Sequence, residues 1–186
     1  RLRFRDREGR ETGLVSRRFV SMASMHHAYL EWTITPLNWS GSAEVVTALD
    51  GRVTNDGVPR YRQLESDHLR PGSTLFPEPE VIAIKAHTRQ SEVVVSLAAR
   101  TLVHTAGEKI DVPRADFRTS DYIQQTLSLD LERGVAVTIE KSVSLFTSRD
   151  PATGDTMTRA HRSVVRARPI DAAYAHHCEA WGRLWQ

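Results

Sequence analysis

The stretch Leu127-Ser128-Leu129-Asp130-Leu131-Glu132-Arg133-Gly134-Val135-Ala136-Val137-Thr138-Ile139-Glu140-Lys141-Ser142-Val143-Ser144-Leu145 decides the fold class. Leucines stand at 127, 129 and 131, separated by Ser128 and Asp130. Past Glu132-Arg133-Gly134 the odd positions carry Val135, Val137, Ile139, Val143 and Leu145. Apolar residues two apart line one face of a β-strand, whereas a helix would need them three to four apart. The spacing predicts a hairpin of two arms of about 10 residues or more each, against a mean strand of about 5–6. Arms of that length belong to a large sheet.

The same period runs outward from this stretch. Leu30, Trp32 and Ile34 alternate with Glu31, Thr33 and Thr35 until Pro36, which removes a ladder donor and ends or edges the strand. Arg1, Arg3, Arg5 and Arg7 alternate with Leu2 and Phe4, which reads as a half-buried strand. Glu8-Gly9-Arg10 then turns the chain into a second strand through Leu14 to Val20. Val45 to Leu49, Val81 to Ala86 and Val93 to Leu97 are further strands. Asn55-Asp56-Gly57 is a turn, because these residues tolerate positive φ, and strands are expected near Tyr61 and Leu75. The period changes only at the end. Asp171 can cap a helix on which Tyr174, Cys178, Trp181 and Trp185 lie at i, i+4, i+7 and i+11. The fold class is therefore all-β, an antiparallel sandwich with one C-terminal helix.

Composition fits this picture. In 186 residues, 40% are hydrophobic and 26% charged, as in a globular domain rather than a disordered chain. No apolar run approaches the roughly 18 residues of a membrane span, and no basic-then-apolar leader opens the chain. The net charge of +2 is too small to imply a nucleic-acid or membrane partner. The surplus is local, since residues 1–18 hold seven arginines against Asp6, Glu8 and Glu11. With Cys178 as the single cysteine, no intrachain disulfide forms and a Cys-x-x-Cys zinc site is excluded, which fits a reducing compartment.

Little in the sequence announces catalysis. The pairs His26-His27 and His176-His177 lack the i, i+4 spacing of a helical zinc motif and read as structural histidines. Cys178 falls in the apolar stripe of the terminal helix and reads as a small buried hydrophobe. No Gly-x-Ser-x-Gly elbow and no glycine-rich phosphate loop occurs, so no cofactor is expected. Glu31, Asp50, Glu140 and Asp150 are the carboxylates that glycosidic acid/base work could draw on, but that work needs a defined separation and a raised pKa. On strands such residues usually face solvent. Asn38 and Trp39 are the candidate contacts for a sugar, one by hydrogen bonds and the other by ring stacking.

Four short blocks, taken in order, carry a resemblance. They are Arg18-Phe19-Val20-Ser21-Met22-Ala23; Ile34-Thr35-Pro36-Leu37-Asn38-Trp39-Ser40-Gly41; Leu49-Asp50-Gly51-Arg52-Val53-Thr54-Asn55-Asp56-Gly57-Val58 with Arg60-Tyr61; and His177-x-x-Ala180-Trp181-x-x-Leu184-Trp185. Together they resemble the N-terminal domain of glycoside hydrolase family 65, which contains maltose, trehalose and kojibiose phosphorylases and some acid trehalases. The resemblance implies a β-supersandwich like galactose mutarotase, then a helical linker to an (α/α)6 barrel. It implies that residues 1–170 are a sandwich lacking its first strands, and that 171–186 begin the linker. Tyr174, Trp181 and Trp185 would pack that linker, and Asn38 and Trp39 would touch sugar or barrel. The general acid and the phosphate-binding residues belong to the barrel in this family, so no catalytic residue is expected here. The parent implied is an inverting phosphorylase of an α-glucosidic disaccharide, with a disaccharide and phosphate as substrates, a homodimeric assembly and a cytoplasmic location. The competing expectations are an independent carbohydrate-binding module and the N-terminal domain of a family 65 trehalase.

Overall fold

The computed structural model describes residues 1–55, 57, 60, 63–151 and 154–186. Period-two segments become eleven strands and two short segments become helices: β1 (Leu2–Arg5), β2 (Glu11–Val20), β3 (His27–Pro36), β4 (Gly41–Asp50), β5 (Leu69–Glu78), β6 (Val81–Thr88), β7 (Val94–Thr105), β8 (Glu108–Ile110), β9 (Arg114–Arg118), β10 (Tyr122–Leu131), β11 (Val137–Thr147), α1 (Thr156–Val165) and α2 (Ile170–Gly182). One sheet runs β1-β2-β3-β11-β7-β6-β5, with β8 added beside β7; the other is β4-β10-β9. Neighbouring strands are antiparallel throughout. The two sheets face each other, and the all-β sandwich is the fold class read from the sequence.

The decisive stretch forms a different connection from the one its spacing predicts. β10 pairs with β4 and β9, while β11 pairs with β3 and β7, so the two arms lie in opposite sheets. They form an arch rather than a hairpin. The odd side chains explain the difference. Leu127, Leu129 and Leu131 face Val137, Ile139 and Val103 across one core, all nearly inaccessible to water. Alternation says which side chains share a core, and an arch satisfies that as well as a hairpin does. The connection is pinned where Gly134, at φ +78°, donates its N–H to the carbonyl of Pro36 at 2.8 Å.

A second core joins the sheets through Leu49, Ile82, Ile84, Ala99 and Ile123. Two further clusters lie on the outer face of the large sheet, each under a helix. Met157, Ala160 and Val164 of α1 pack on Val81, Ala83, Ala98 and Phe146. Ile170 and Ala173 of α2 pack on Tyr29, with Phe19 beside them. Four buried apolar clusters of this kind supply the area that offsets the chain entropy of ordering the domain.

Three expectations need correction. β1 is not half-buried: Leu2 and Phe4 are 66% and 51% exposed on an edge strand, and Arg3 and Arg5 both grip Glu11 on the neighbouring strand. The terminal helix is not the only one, since α1 precedes it. Asp155 caps α1 by accepting the Thr158 N–H at 2.8 Å. Asp171 does not cap α2, which starts one residue earlier with Pro169 as its flanking residue. The strand expected near Leu75 is β5; the one expected near Tyr61 and the turn through Asp56 lie outside the described residues.

Candidate functional site

Asn38 and Trp39 sit in the connection between β3 and β4, and both are engaged by their own domain. The Asn38 side-chain oxygen accepts the Glu11 N–H at 2.7 Å, and its amide donates to the Gly9 carbonyl at 3.0 Å. Trp39 Nε1 donates to the Glu11 carbonyl and to Thr12 Oγ1, each at 3.1 Å, and the Arg10 guanidinium lies over the ring at 5.4 Å. The pair thereby locks the turn between β1 and β2 onto the following strand. Beside them a cleft of about 350 Å³ opens between the sheets, lined chiefly by Phe4, Trp32, Ile34, Trp39, Val45 and Leu131. It exists because the three-stranded sheet ends at β4, while the large sheet continues through β3, β2 and β1.

The second concentration of chemistry lies where α2 meets the large sheet. Arg17 on β2 donates to Glu31 on β3 at 3.2 Å and to Asp171 in the first turn of α2 at 2.6 Å. Its Nε is buried with no partner among the described residues. Glu140 on β11 stands directly opposite Glu31 in the strand register and accepts the Ile170 N–H at 3.2 Å. Burial pushes the Glu140 carboxyl above its usual range, and the neighbouring Glu31 adds to the push. An N–H of the first helical turn has no partner within the helix, so Glu140 satisfies one that α2 would otherwise leave open.

From this clamp an aromatic row runs along α2 and past its end, since Trp185, expected on the helix, lies beyond Gly182. Tyr174 meets Phe19 edge-on at 5.4 Å, then His177 follows at 6.1 Å, Trp181 at 6.3 Å and Trp185 at a further 6.3 Å. His177 Nδ1 accepts the Met22 N–H at 3.1 Å. Exposure is similar at Tyr174 and Trp181, 43% and 41%, and doubles to 81% at Trp185. Cys178, expected among the buried residues, is exposed. The reason is rotational: α2 turns Ile170 and Ala173 toward the sheet, so the stripe of larger side chains rides on the flank of the helix.

The other singled-out residues do structural work. His26 Nδ1 hydrogen-bonds the Leu145 carbonyl at 2.8 Å and its ring stacks on Phe146, while His27 bridges Ser24 and Ser163. Asp50 is held by Arg52, and Asp150 accepts the Thr147 N–H. Of the four carboxylates, only Glu31 and Glu140 come together, and they do so at the foot of α2 rather than in an open groove. Such a pair, tied to Arg17 and to a helix N–H, orients a helix. Sequence reasoning missed Lys141. It interrupts the odd-position row Val137, Ile139, Val143, and that break is readable in the sequence.

A model described as "Glycosyl hydrolase family 65, N-terminal domain" matches residues 1–184. The chain belongs to that family. The family 65 domain is 35% identical, over its whole length, to an uncharacterised glycosyl hydrolase of Mycobacterium tuberculosis, and spans 14% of that protein. It is 25% identical over 95% of its length to a kojibiose phosphorylase of Halothermothrix orenii, and spans 23% of that one. Among solved structures it superposes with a TM-score of 0.70 on a putative kojibiose phosphorylase from the human microbiome. That match covers 92% of the family 65 domain and 21% of the neighbour at 12% identity, a likeness of fold.

Proposed function

We propose that this family 65 domain is the non-catalytic sandwich of a larger enzyme, and that the enzyme is an inverting phosphorylase of an α-glucosidic disaccharide. The match to a kojibiose phosphorylase across nearly all of this chain, but under a quarter of that protein, carries the reading. Similarity to an α,α-trehalose phosphorylase of Thermoanaerobacter brockii supports it. In such a reaction phosphate attacks the anomeric carbon while a carboxylic acid protonates the leaving oxygen; phosphate takes the place of the water used by an inverting hydrolase. Residues 1–170 hold and shape the rim of a barrel carried elsewhere in the polypeptide, and 171–186 begin the linker to it, with Tyr174, Trp181 and Trp185 packing against that barrel. The cleft beside β4 is the place for sandwich strands outside residues 1–186. Use of cellular phosphate favours a cytoplasmic parent, and the family resemblance a homodimeric one. Among the described residues no helix is long and apolar enough to cross a membrane.

The test is to assay this chain and its full reading frame on maltose, trehalose and kojibiose, with and without phosphate. Phosphate-dependent turnover by the full protein, and none by residues 1–186, is the expected result. Phosphate-independent hydrolysis by the full protein would move the parent to the trehalases. Turnover by the short chain, abolished by replacing one of its own carboxylates, would overturn the non-catalytic assignment.

A further inference from the structure

The chain has three lysines, Lys85, Lys109 and Lys141. Lys85 pairs with Asp155 at 2.5 Å, and Lys109 pairs with Glu80 at 2.5 Å. Lys141 has no such partner among the described residues. It projects from β11 toward the small sheet, and its Nζ donates to the Ala48 carbonyl on β4 at 2.8 Å. The amine borders a pocket of about 160 Å³ whose other walls are Leu30, Trp32, Val45, Val46, Thr47, Ala48, Thr101 and Ile139. None of these titrates. The two hydroxyls are turned to each other, Thr47 Oγ1 to Thr101 Oγ1 at 3.2 Å. The other charged groups along this cross-strand row are Arg18, a cation beyond Leu30, and Glu80, which follows Thr101 and is already paired with Arg100 and Lys109; the Arg114 guanidinium donates to the Thr101 carbonyl. The pocket lies under the edge of β4 away from β10, which carries no strand among the described residues.

We propose that Lys141 is a modification site, an amine selectively reactive toward small uncharged aldehydes that enter the pocket beneath the free edge of β4. Three features of the geometry carry this. No carboxylate stabilises the ammonium form, the apolar walls disfavour it, and the pocket gives a small molecule a route to Nζ. Burial lowers the Lys141 pKa from its ordinary 10.5 to about 8, so near neutral pH far more of this amine is uncharged than of a surface lysine. The uncharged nitrogen adds its lone pair to the aldehyde carbon, and the carbonyl oxygen takes up a proton. Loss of water then forms the C=N bond of an imine. The apolar lining suits a short alkyl chain.

The experiment treats the native protein with propanal and sodium cyanoborohydride, whose hydride reduces the imine to a stable secondary amine, and quantifies each lysine by peptide mass spectrometry between pH 6.5 and 10.5. Lys141 should be alkylated roughly tenfold faster than Lys85 and Lys109 at pH 7, with its rate levelling off above about pH 8, where an ordinary lysine near 10.4 is still climbing. In 8 M urea (roughly the strength that unfolds most small domains) the advantage should vanish. Equal rates for the three lysines in the native protein, or a preference for Lys141 that survives unfolding, would overturn the proposal.

Discussion

Glu140 and Glu31 occupy the same register position on adjacent strands, two carboxylates side by side on the outer face of the large sheet. Like charges directly opposite each other destabilise a sheet. Here each has its own partner, because Glu31 binds Arg17 while Glu140 accepts the Ile170 N–H that opens α2. Burial and the Glu31 charge raise the Glu140 pKa. Between the unfolded value near 4.3 and the higher folded value, the folded state holds more protons, so this group's contribution falls as pH rises through that window. Glu140→Gln keeps an acceptor for Ile170 and removes the ionisation. It should match the wild type near pH 4 and be the more stable protein at pH 7, by urea unfolding. Glu140→Ala leaves the Ile170 N–H without its partner and should cost about 1–3 kcal/mol at both pH values.

Lys141 gives the opposite slope. Its folded pKa of about 8 lies below the ordinary 10.5, so the unfolded chain binds more protons between those values and stability rises with pH across them. Keeping the ammonium in its pocket below pH 8 costs on the order of 2–3 kcal/mol, allowing for the part of the side chain that water still reaches. Lys141→Met should recover much of that at pH 7 and lose the rise between pH 8 and 10.5. Parallel stability curves for the two proteins over that range would refute the account.

Gly72 tests the bulge in β5. The register of β5 against β6 shifts between Pro71 and Ser73, and a Cβ on Gly72 would sit 2.5 Å from the Lys85 carbonyl oxygen. The obstacle is backbone, so it cannot swing aside. Gly72→Ala should therefore cost about 2 kcal/mol or more, as overpacking does in cores. Gly107→Ala makes a useful contrast: nothing lies within 4 Å of its Cβ position, and its cost should come only from its φ of +82°.

Much of this fold is legible because alternation in a strand reports burial directly. The Leu127 row and its partners Val137 and Ile139 identify the core correctly, whereas Val135 and Leu145 at the ends of the second row are exposed. What they cannot identify is the neighbour of each strand, since the same odd residues face inward whether β10 and β11 lie side by side or in opposite sheets. α1 carries a readable signal, Asp155 followed by Met157, Ala160 and Val164 at helical spacing, but two threonines and two valines in ten residues dilute it. On α2 side-chain size points to the wrong face; the sheet accepts Ile170 and Ala173, and the small Ala173 lets the helix approach. Asn38 and Trp39 stand out by their chemistry, but only the positions of Glu11, Gly9 and Thr12 show that their polar atoms are already used.

That internal use sets the expectation for the cleft. Asn38→Ala removes two hydrogen bonds that fix the β1–β2 turn and should cost about 1 kcal/mol. Trp39→Ala also removes a ring packed on the core formed by Leu127, Leu129 and Leu131, and should cost about 3 kcal/mol or more. Neither change should alter an interaction with maltose, trehalose or kojibiose, because calorimetry on the unmodified chain should show no saturable heat with any of them. Disaccharide binding by the wild type that disappears in Trp39→Ala would restore the binding-module reading.

Trp185 tests the linker assignment. A helix of about 13 residues is marginal in water and needs a surface to lie on. α2 has one at its start, where Ile170 and Ala173 are buried and Arg17 holds Asp171, but not at its end, where Leu184 and Trp185 are largely exposed. Trp181 and Trp185 stack with rings 15° apart, so the exposed end is an ordered aromatic platform. Apolar area left open at the end of an ordered row marks a contact surface, and the proposed barrel would cover it. The fluorescence lost on Trp185→Phe isolates this residue's emission in both proteins. In residues 1–186 that emission should be quenched freely by acrylamide; in the full-length protein it should be shielded by roughly twofold or more, as for a residue moved from surface to interface. Equal quenching in the two proteins would mean that α2 completes this domain instead of leading out of it.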